Sequence, residues 1–156
     1  MSIIRQMTLV HIYTDGACRG NPGPGGWAAI LVTEADGKKI EKELSGGEKL
    51  TTNNRMELTA AIKGLAALKY RCKVVLTSDS KYLCDAVNLG WAKSWQKRGW
   101  IKSDKKPALN PDLWERLLEL LDAHDVETVW VRGHAGHEYN ERCDALATAM
   151  ADSFKD

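Results

Sequence analysis

Apolar and polar positions change period along the chain, and the changes mark its elements. Met7 to Tyr13 sets Leu9, His11 and Tyr13 against Val10 and Ile12, the pattern of a strand buried on both faces. Asn21-Pro22-Gly23-Pro24-Gly25-Gly26 reads as a turn, Trp27 to Thr33 as a second strand, and Lys38 to Leu44 as a third, more exposed one. Asp36-Gly37 between the last two is a hairpin signal. The period then becomes helical: Leu58, Ala61, Ile62, Leu65 and Leu68 predict a helix from Asn54 to about Lys69. Lys73 to Ser78 is a short buried strand, and Ser80 to Leu89 a helix stopped by Gly90. Asn110-Pro111 places an N-cap before a first-turn proline, and Leu113, Leu117, Leu120 and Leu121 mark one face of the helix that follows. Glu127 to Arg132 is the fifth strand, Gly133 to Asn140 a polar loop, and Cys143, Leu146, Ala147 and Met150 the apolar face of a final helix.

A meander followed by crossover units predicts an α/β fold: a mixed five-stranded sheet with flanking helices, in which strands one, four and five run parallel. The 156 residues suit a single domain spanning 1–156. No apolar run approaches the roughly 20 residues of a membrane helix. The opening Met-Ser-Ile-Ile-Arg-Gln has no apolar signal core, so the expected location is cytoplasmic, without membrane partners. Cys18, Cys72, Cys84 and Cys143 contain no C-x-x-C pair; reduced, partly buried thiols are expected rather than a zinc site.

Charge changes this picture. The net charge of +1 argues against a nucleic-acid partner until it is divided along the chain. Residues 91–106 hold Lys93, Lys97, Arg98, Lys102, Lys105 and Lys106 against Asp104 alone, a local +5, interleaved with Trp91, Trp95 and Trp100. Of the 22 basic and 21 acidic residues, the remainder keeps 16 and 20, a net −4. A cationic segment therefore sits on an anionic body.

Ligands in sheets of this kind sit beyond the carboxyl ends of the parallel strands. Asp15 lies just past the first strand and Asp79 just past the fourth. Parallel pairing would bring those ends to roughly 4.8 Å from one another. Two carboxylates in one crevice repel, so one keeps its proton or a hard divalent cation resolves the conflict. Each residue also has an ordinary structural reading. Asp15 before Gly16 can make a turn, and Asp79 before Ser80 can charge a helix start. Asn54-x-x-Glu57 fits a capping box, and Asp144 suits the start of the last helix. Glu57 and Asp144 share a position in an early helical turn near the strand ends. His134, among the glycines of Gly133-His134-Ala135-Gly136-His137, has a position suited to proton transfer. His11 and His124 read as structural, one in a strand and the other at a helix C-terminus, where a cation is favoured.

The sequence resembles the type I ribonuclease H family in its bacterial form. The resemblance rests on Tyr13-Thr14-Asp15-Gly16, the Asn21–Gly26 turn, Thr51 to Leu58, Ser78-Asp79-Ser80, Trp95 to Trp100, and Gly133 to His137 running into Asn140-Glu141-Arg142-Cys143-Asp144. It implies divalent-metal-dependent endonucleolytic hydrolysis of the RNA strand of an RNA–DNA hybrid, leaving 5′-phosphate and 3′-hydroxyl ends. Asp15, Glu57, Asp79 and Asp144 become the metal ligands, with magnesium preferred, manganese as the alternative and two ions present with substrate. His134 takes an auxiliary role in proton transfer or product release, and the segment at about 91–106 becomes a basic protrusion that grips the hybrid. The substrate contacts implied are Asn21, Thr52, Asn53, Asn54, Lys81, Trp91, Lys93, Trp95, Lys97, Arg98, Lys105 and Lys106, on a monomer. Lys81 stands where relatives often carry Gln, Leu50 where they can carry Arg, and Glu138 where Pro is frequent. The rival readings are a nuclease or integrase of the same fold acting on DNA, and a non-catalytic hybrid-binding module. An actin-like ATPase is disfavoured, because no Walker-type glycine loop is present.

Overall fold

The computed structural model describes residues 7–133 and 137–154. Among them the chain forms β1 (Leu9–Cys18), β2 (Gly23–Ala35), β3 (Lys38–Thr51), α1 (Asn53–Ala66), β4 (Lys73–Ser78), α2 (Lys81–Asn88), α3 (Trp91–Lys97), α4 (Pro111–Ala123), β5 (Asp125–Trp130) and α5 (Glu138–Asp152). The strands lie in the order β3-β2-β1-β4-β5. β1–β2 and β2–β3 are antiparallel, whereas β1–β4 and β4–β5 are parallel, which is the expected mixed sheet. The Asp36-Gly37 hairpin forms with both residues at positive φ, 53° and 75°, as a two-residue turn of matching twist requires. No described helix is long and apolar enough to cross a membrane.

Strand alternation splits the core into two layers. Val10 and Ile12 of β1, Leu31 of β2, and Val74 and Leu76 of β4 pack with Leu58 and Leu65 of α1 and Leu117 of α4. The opposite face of β2, with Ala28, Ile30 and Val32, packs on Cys143 and Ala147 of α5. This two-sided burial explains why β2 reads as a continuous apolar run. All four cysteines are free thiols, half-buried at Cys18 and buried at the others.

Several boundaries differ from the sequence expectation for identifiable reasons. β1 does not stop at Tyr13. Asp15 to Cys18 continue the ladder against Ala28 to Gly25, so Asp15-Gly16 is strand rather than turn. α1 is capped by Thr52, whose hydroxyl accepts from the Arg55 N–H at 3.2 Å, so Asn54 is not the cap and Glu57 closes no capping box. Asn110 stands before Pro111 as expected, but in a left-handed conformation (φ 61°) with no side-chain cap; its Oδ1 accepts from Arg55 Nη1 at 3.3 Å. α5 opens at Glu138, which shortens the polar loop and puts Asp144 in the second turn of the helix. His124 is structural, as expected, but as a buried acceptor at the helix end. Its Nδ1 accepts from the Cys72 N–H at 3.1 Å, and burial, with Arg71 nearby, lowers its pKa.

α5 is docked by two different means. Gly26 lets the helix backbone come so close that a Cβ there would lie 2.1 Å from the Ala147 carbonyl oxygen. Near the start of the helix, Tyr139 stacks on Tyr13 at 4.7 Å and donates its hydroxyl to Glu41 at 2.7 Å, while Arg142 reaches Glu41 at 2.9 Å and Glu43 at 3.2 Å. Gly26→Ala is expected to force α5 off β2 and to cost about 1–3 kcal/mol, read by denaturant unfolding. Wild-type stability in that variant would show that the contact relaxes freely.

Candidate active site

The last parallel rung joins Thr14 of β1 to Ser78 of β4, so the next residues, Asp15 and Asp79, leave adjacent strands side by side. β4 stops there while β1 continues along β2, which leaves one edge of β1 open at Asp15. α1 fills part of the opening. Its fifth residue, Glu57, faces the sheet because Gly16 lets the helix come close: a Cβ at Gly16 would lie 2.5 Å from the Glu57 nitrogen. Asp15, Glu57 and Asp79 each offer a carboxylate oxygen, and the three lie within 4.8 Å of one another. Asp15 and Glu57 are buried, at 6% and 3% exposure, and Asp79 is half-buried. Asp144 is half-buried on α5 and stands outside this trio, although its charge still acts on Asp15.

Few donors serve this charge. The Gly16 N–H is shared between Asp15 Oδ1 at 2.9 Å and Glu57 Oε1 at 2.8 Å. Ser78 Oγ donates to Glu57 Oε2 at 3.4 Å. Among the described residues no ion pair joins Asp15 or Glu57. Burial therefore dominates and pushes Asp15 up from 3.8 to about 7; the Asp79 and Asp144 charges add to the rise, and the bonds from Glu57 and Gly16 oppose it. Burial, then the Asp15 charge, holds Glu57 well above 4.5. An all-oxygen set in which the two buried members, Asp15 and Glu57, resist ionisation fits a hard divalent cation, whose charge would replace the missing counter-charge.

The implied substrate contacts fall in two groups. Asn21, Thr52, Asn53 and Asn54 gather at the start of α1, where the Asn53 N–H donates to Asn21 Oδ1 at 2.9 Å. Lys81 opens α2, exposed, with its ammonium 5.9 Å from the centre of the Trp130 ring. Lys93, Lys97, Arg98, Lys105 and Lys106 are exposed on α3 and the turn after it. Trp95 differs from these. It is half-buried and meets Trp114 edge-on at 6.1 Å, and Trp114 donates to the Tyr82 hydroxyl at 2.8 Å. Trp95 and Trp100 thus anchor the protrusion to the main core, whereas Trp91 is 43% exposed. Tyr82, Trp91, Trp95, Arg98 and Lys102 help line a cavity of about 600 Å³ beside α3. Leu50 is exposed at the end of β3. His134 lies outside the described residues.

The sequence model of the family described as RNase H matches residues 7–152. The chain belongs to the RNase H family. It is 59% identical over 142 residues to the Ribonuclease H of Syntrophus aciditrophicus (strain SB), covering 91% of this chain and 80% of that one. The Ribonuclease H of Caldanaerobacter subterraneus subsp. tengcongensis is also 59% identical, over 140 residues, covering 90% of this chain and 89% of its own. Among solved structures, LC9-RNase H1, a type 1 RNase H with the type 2 active-site motif, superposes with a TM-score of 0.85 at 33% identity, covering 98% of this chain and 76% of that one. LC11-RNase H1, solved in complex with an RNA/DNA hybrid, shares the fold with a TM-score of 0.68 at 24% identity over 92% of this chain and 97% of its own.

Three further residues adjoin the carboxylates and are not named as candidates in the sequence reading. Ser78 bridges Glu57 to the Ser80 N–H, Trp130 donates to the Asp79 carbonyl, and Gly133 sits where a Cβ would come within 3.0 Å of Asp79 Oδ2. Ser78 was within reach, since it precedes Asp79 in a matched motif; Trp130 left no comparable signal.

The raised carboxyls have a consequence for stability. A group whose pKa is raised by folding stabilises the fold below its unfolded value, and that contribution is lost as pH rises through the folded value. The metal-free protein is therefore expected to lose stability from about pH 4 through pH 7. Asp15→Asn should be more stable than metal-free wild type at pH 8, by on the order of 2 kcal/mol, and equal to it near pH 3. Paired urea titrations at the two pH values check this; a destabilised Asp15→Asn at pH 8 would contradict it.

Proposed function

We propose that the chain is a single ribonuclease H catalytic domain, acting as a monomer, that cuts the RNA strand of RNA–DNA hybrids internally and leaves 5′-phosphate and 3′-hydroxyl ends. The observation that carries this reading is the trio Asp15, Glu57 and Asp79 at the ends of the parallel strands. The near relatives named Ribonuclease H and the hybrid bound by LC11-RNase H1 support the substrate.

Asp15, Glu57 and Asp79, with Asp144 beside them, would hold divalent metal, magnesium in first place and two ions with substrate. Bound there, the metal supplies an activated water and stabilisation of the leaving 3′ oxygen. The protein's own contribution is positional. The shared Gly16 N–H fixes Asp15 and Glu57 relative to each other, and Ser78 holds the second oxygen of Glu57. Asn21, Thr52, Asn53 and Asn54, at the start of α1, would meet the duplex backbone, and 2′-hydroxyls distinguish its RNA strand. Lys81, Lys93, Lys97, Arg98, Lys105 and Lys106 neutralise phosphates, with Trp91 as the exposed ring of the protrusion and Trp95 as its anchor. His134 serves proton transfer or product release.

Separate labelling of the two strands of a hybrid, with and without magnesium, tests the reading. Magnesium-dependent cuts confined to RNA, with 5′-phosphate ends, are expected; cleavage of duplex DNA under the same conditions would favour a DNA nuclease of this fold. Asp15→Asn and Glu57→Gln should each lower kcat by about a thousandfold or more. Full magnesium-dependent activity in Asp15→Asn would overturn the assignment.

Replacing Lys97, Arg98, Lys105 and Lys106 by Gln is expected to raise KM more than it lowers kcat, with a smaller dependence of KM on salt. A large kcat loss at saturating hybrid would contradict that division.

A further inference from the structure

The peptide unit between Asp79 and Ser80 is held from both sides. β4 ends at Ser78, and the ladder with β5 is spent one step later, where the Val131 N–H donates to the Ser78 carbonyl at 3.0 Å. The next carbonyl of that strand is that of Asp79. Its partner is a side chain, the Trp130 indole N–H at 3.1 Å, which acts as an extra rung. The other end of the same peptide, the Ser80 N–H, donates to Ser78 Oγ at 3.0 Å, and that hydroxyl turns on to Glu57. An amide fixed at both its carbonyl and its N–H cannot rotate without breaking one of the two bonds. The Asp79 side chain leaves the backbone at this amide.

Trp130 also has a second surface. The residue is 43% exposed, and the Lys81 ammonium stands 5.9 Å from the centre of its ring. That distance lies within cation–π range. Lys81 and Trp130 flank Asp79 from two different elements, the start of α2 and the end of β5.

We propose that Trp130 is a positioning residue for Asp79, acting through the indole–carbonyl bond, and that its exposed face is the platform that holds Lys81 beside the site for contact with the hybrid backbone. The platform half rests on the proposed hybrid substrate; the positioning half does not. Groups that orient a metal ligand typically affect metal affinity by about tenfold or more when removed.

Three variants separate the two jobs. Trp130→Phe keeps an aromatic face and removes the donor. It is expected to weaken magnesium binding about tenfold by calorimetry without substrate, and to lower kcat at subsaturating magnesium, while the salt dependence of KM stays as in wild type. Lys81→Gln is expected to raise KM and to reduce the salt slope by about one phosphate contact, with wild-type magnesium binding. Trp130→Ala should show both sets of effects. Far-ultraviolet dichroism and thermal unfolding confirm that each variant is folded; Trp130→Tyr, whose hydroxyl lies elsewhere than the indole N–H, replaces an unfolded Trp130→Phe, Trp130→Leu an unfolded Trp130→Ala, and Lys81→Met an unfolded Lys81→Gln. Wild-type magnesium binding in Trp130→Phe would overturn the positioning role. A Trp130→Ala protein with the KM and salt slope of Trp130→Phe would overturn the platform. Absence of hybrid cleavage by the wild-type protein would sink the proposed function, yet the calorimetric comparison would still decide the positioning role.

Discussion

One backbone N–H governs the chemistry of this molecule. Gly16 donates to Asp15 at 2.9 Å and to Glu57 at 2.8 Å, and it can do so only because nothing but hydrogen projects from its Cα toward α1. A strand and a helix ordinarily keep a side chain's width between them. Here that spacer is absent, and a helix residue that would otherwise look into a dry layer is brought against a strand residue of the same charge. Two buried acids then share one donor where each would need several to ionise. Burial holds both carboxyls above their ordinary values, the Asp15 charge adds to the rise at Glu57, and the Gly16 N–H only partly offsets it.

Holding such a notch open requires rigidity elsewhere, and the fold supplies it from three directions. The β1–β4 ladder sets Asp79 beside Asp15. The Ser78 hydroxyl and the Trp130 indole hold the Asp79–Ser80 amide. On the far side, α5 is pressed on β2 at Gly26 and tied to β3 through Tyr139 and Arg142 on Glu41, which fixes the helix one residue from Cys143 and two from Asp144. Exposed ion pairs of this kind contribute little to stability. Their effect here is on register, because a helix that slides also moves Asp144.

The sequence made the sheet legible and left the details of the site partly hidden. Alternation in Trp27 to Thr33 and helical spacing from Leu58 to Leu65 are global signals, repeated over many residues, and they placed the elements and their order. Asp15 and Asp79 were found because strand ends in parallel sheets are where such residues gather. Local motifs fared worse. Asn54-x-x-Glu57 has the spacing of a capping box, but Thr52 takes the cap and Glu57 turns to the sheet. Asp15-Gly16 has the composition of a turn, but pairing with β2 keeps it extended. In each case a partner distant in sequence won over a preference read from neighbours. Trp130 was invisible for the same reason: its importance lies in a carbonyl 51 residues away.

The near-zero net charge follows from the same division of labour. Acids that must bind a cation gain from a low dielectric, since burial raises the cost of leaving them without one. Bases proposed to meet a polyanion gain from exposure, because phosphates arrive from solvent and their counterions leave into it. The first requirement places Asp15 and Glu57 under the first turns of α1, and the second places Lys93, Lys97, Arg98, Lys105 and Lys106 on an arm outside the sheet. Salt therefore reaches the two sites unequally. The arm lies where screening acts within about 10 Å at ordinary ionic strength, and the buried pair lies where it scarcely enters. The proposed capture of the nucleic acid and the ionisation of the carboxylates would thus be governed by different solvents, and a chain of net charge +1 carries two separate electrostatic devices.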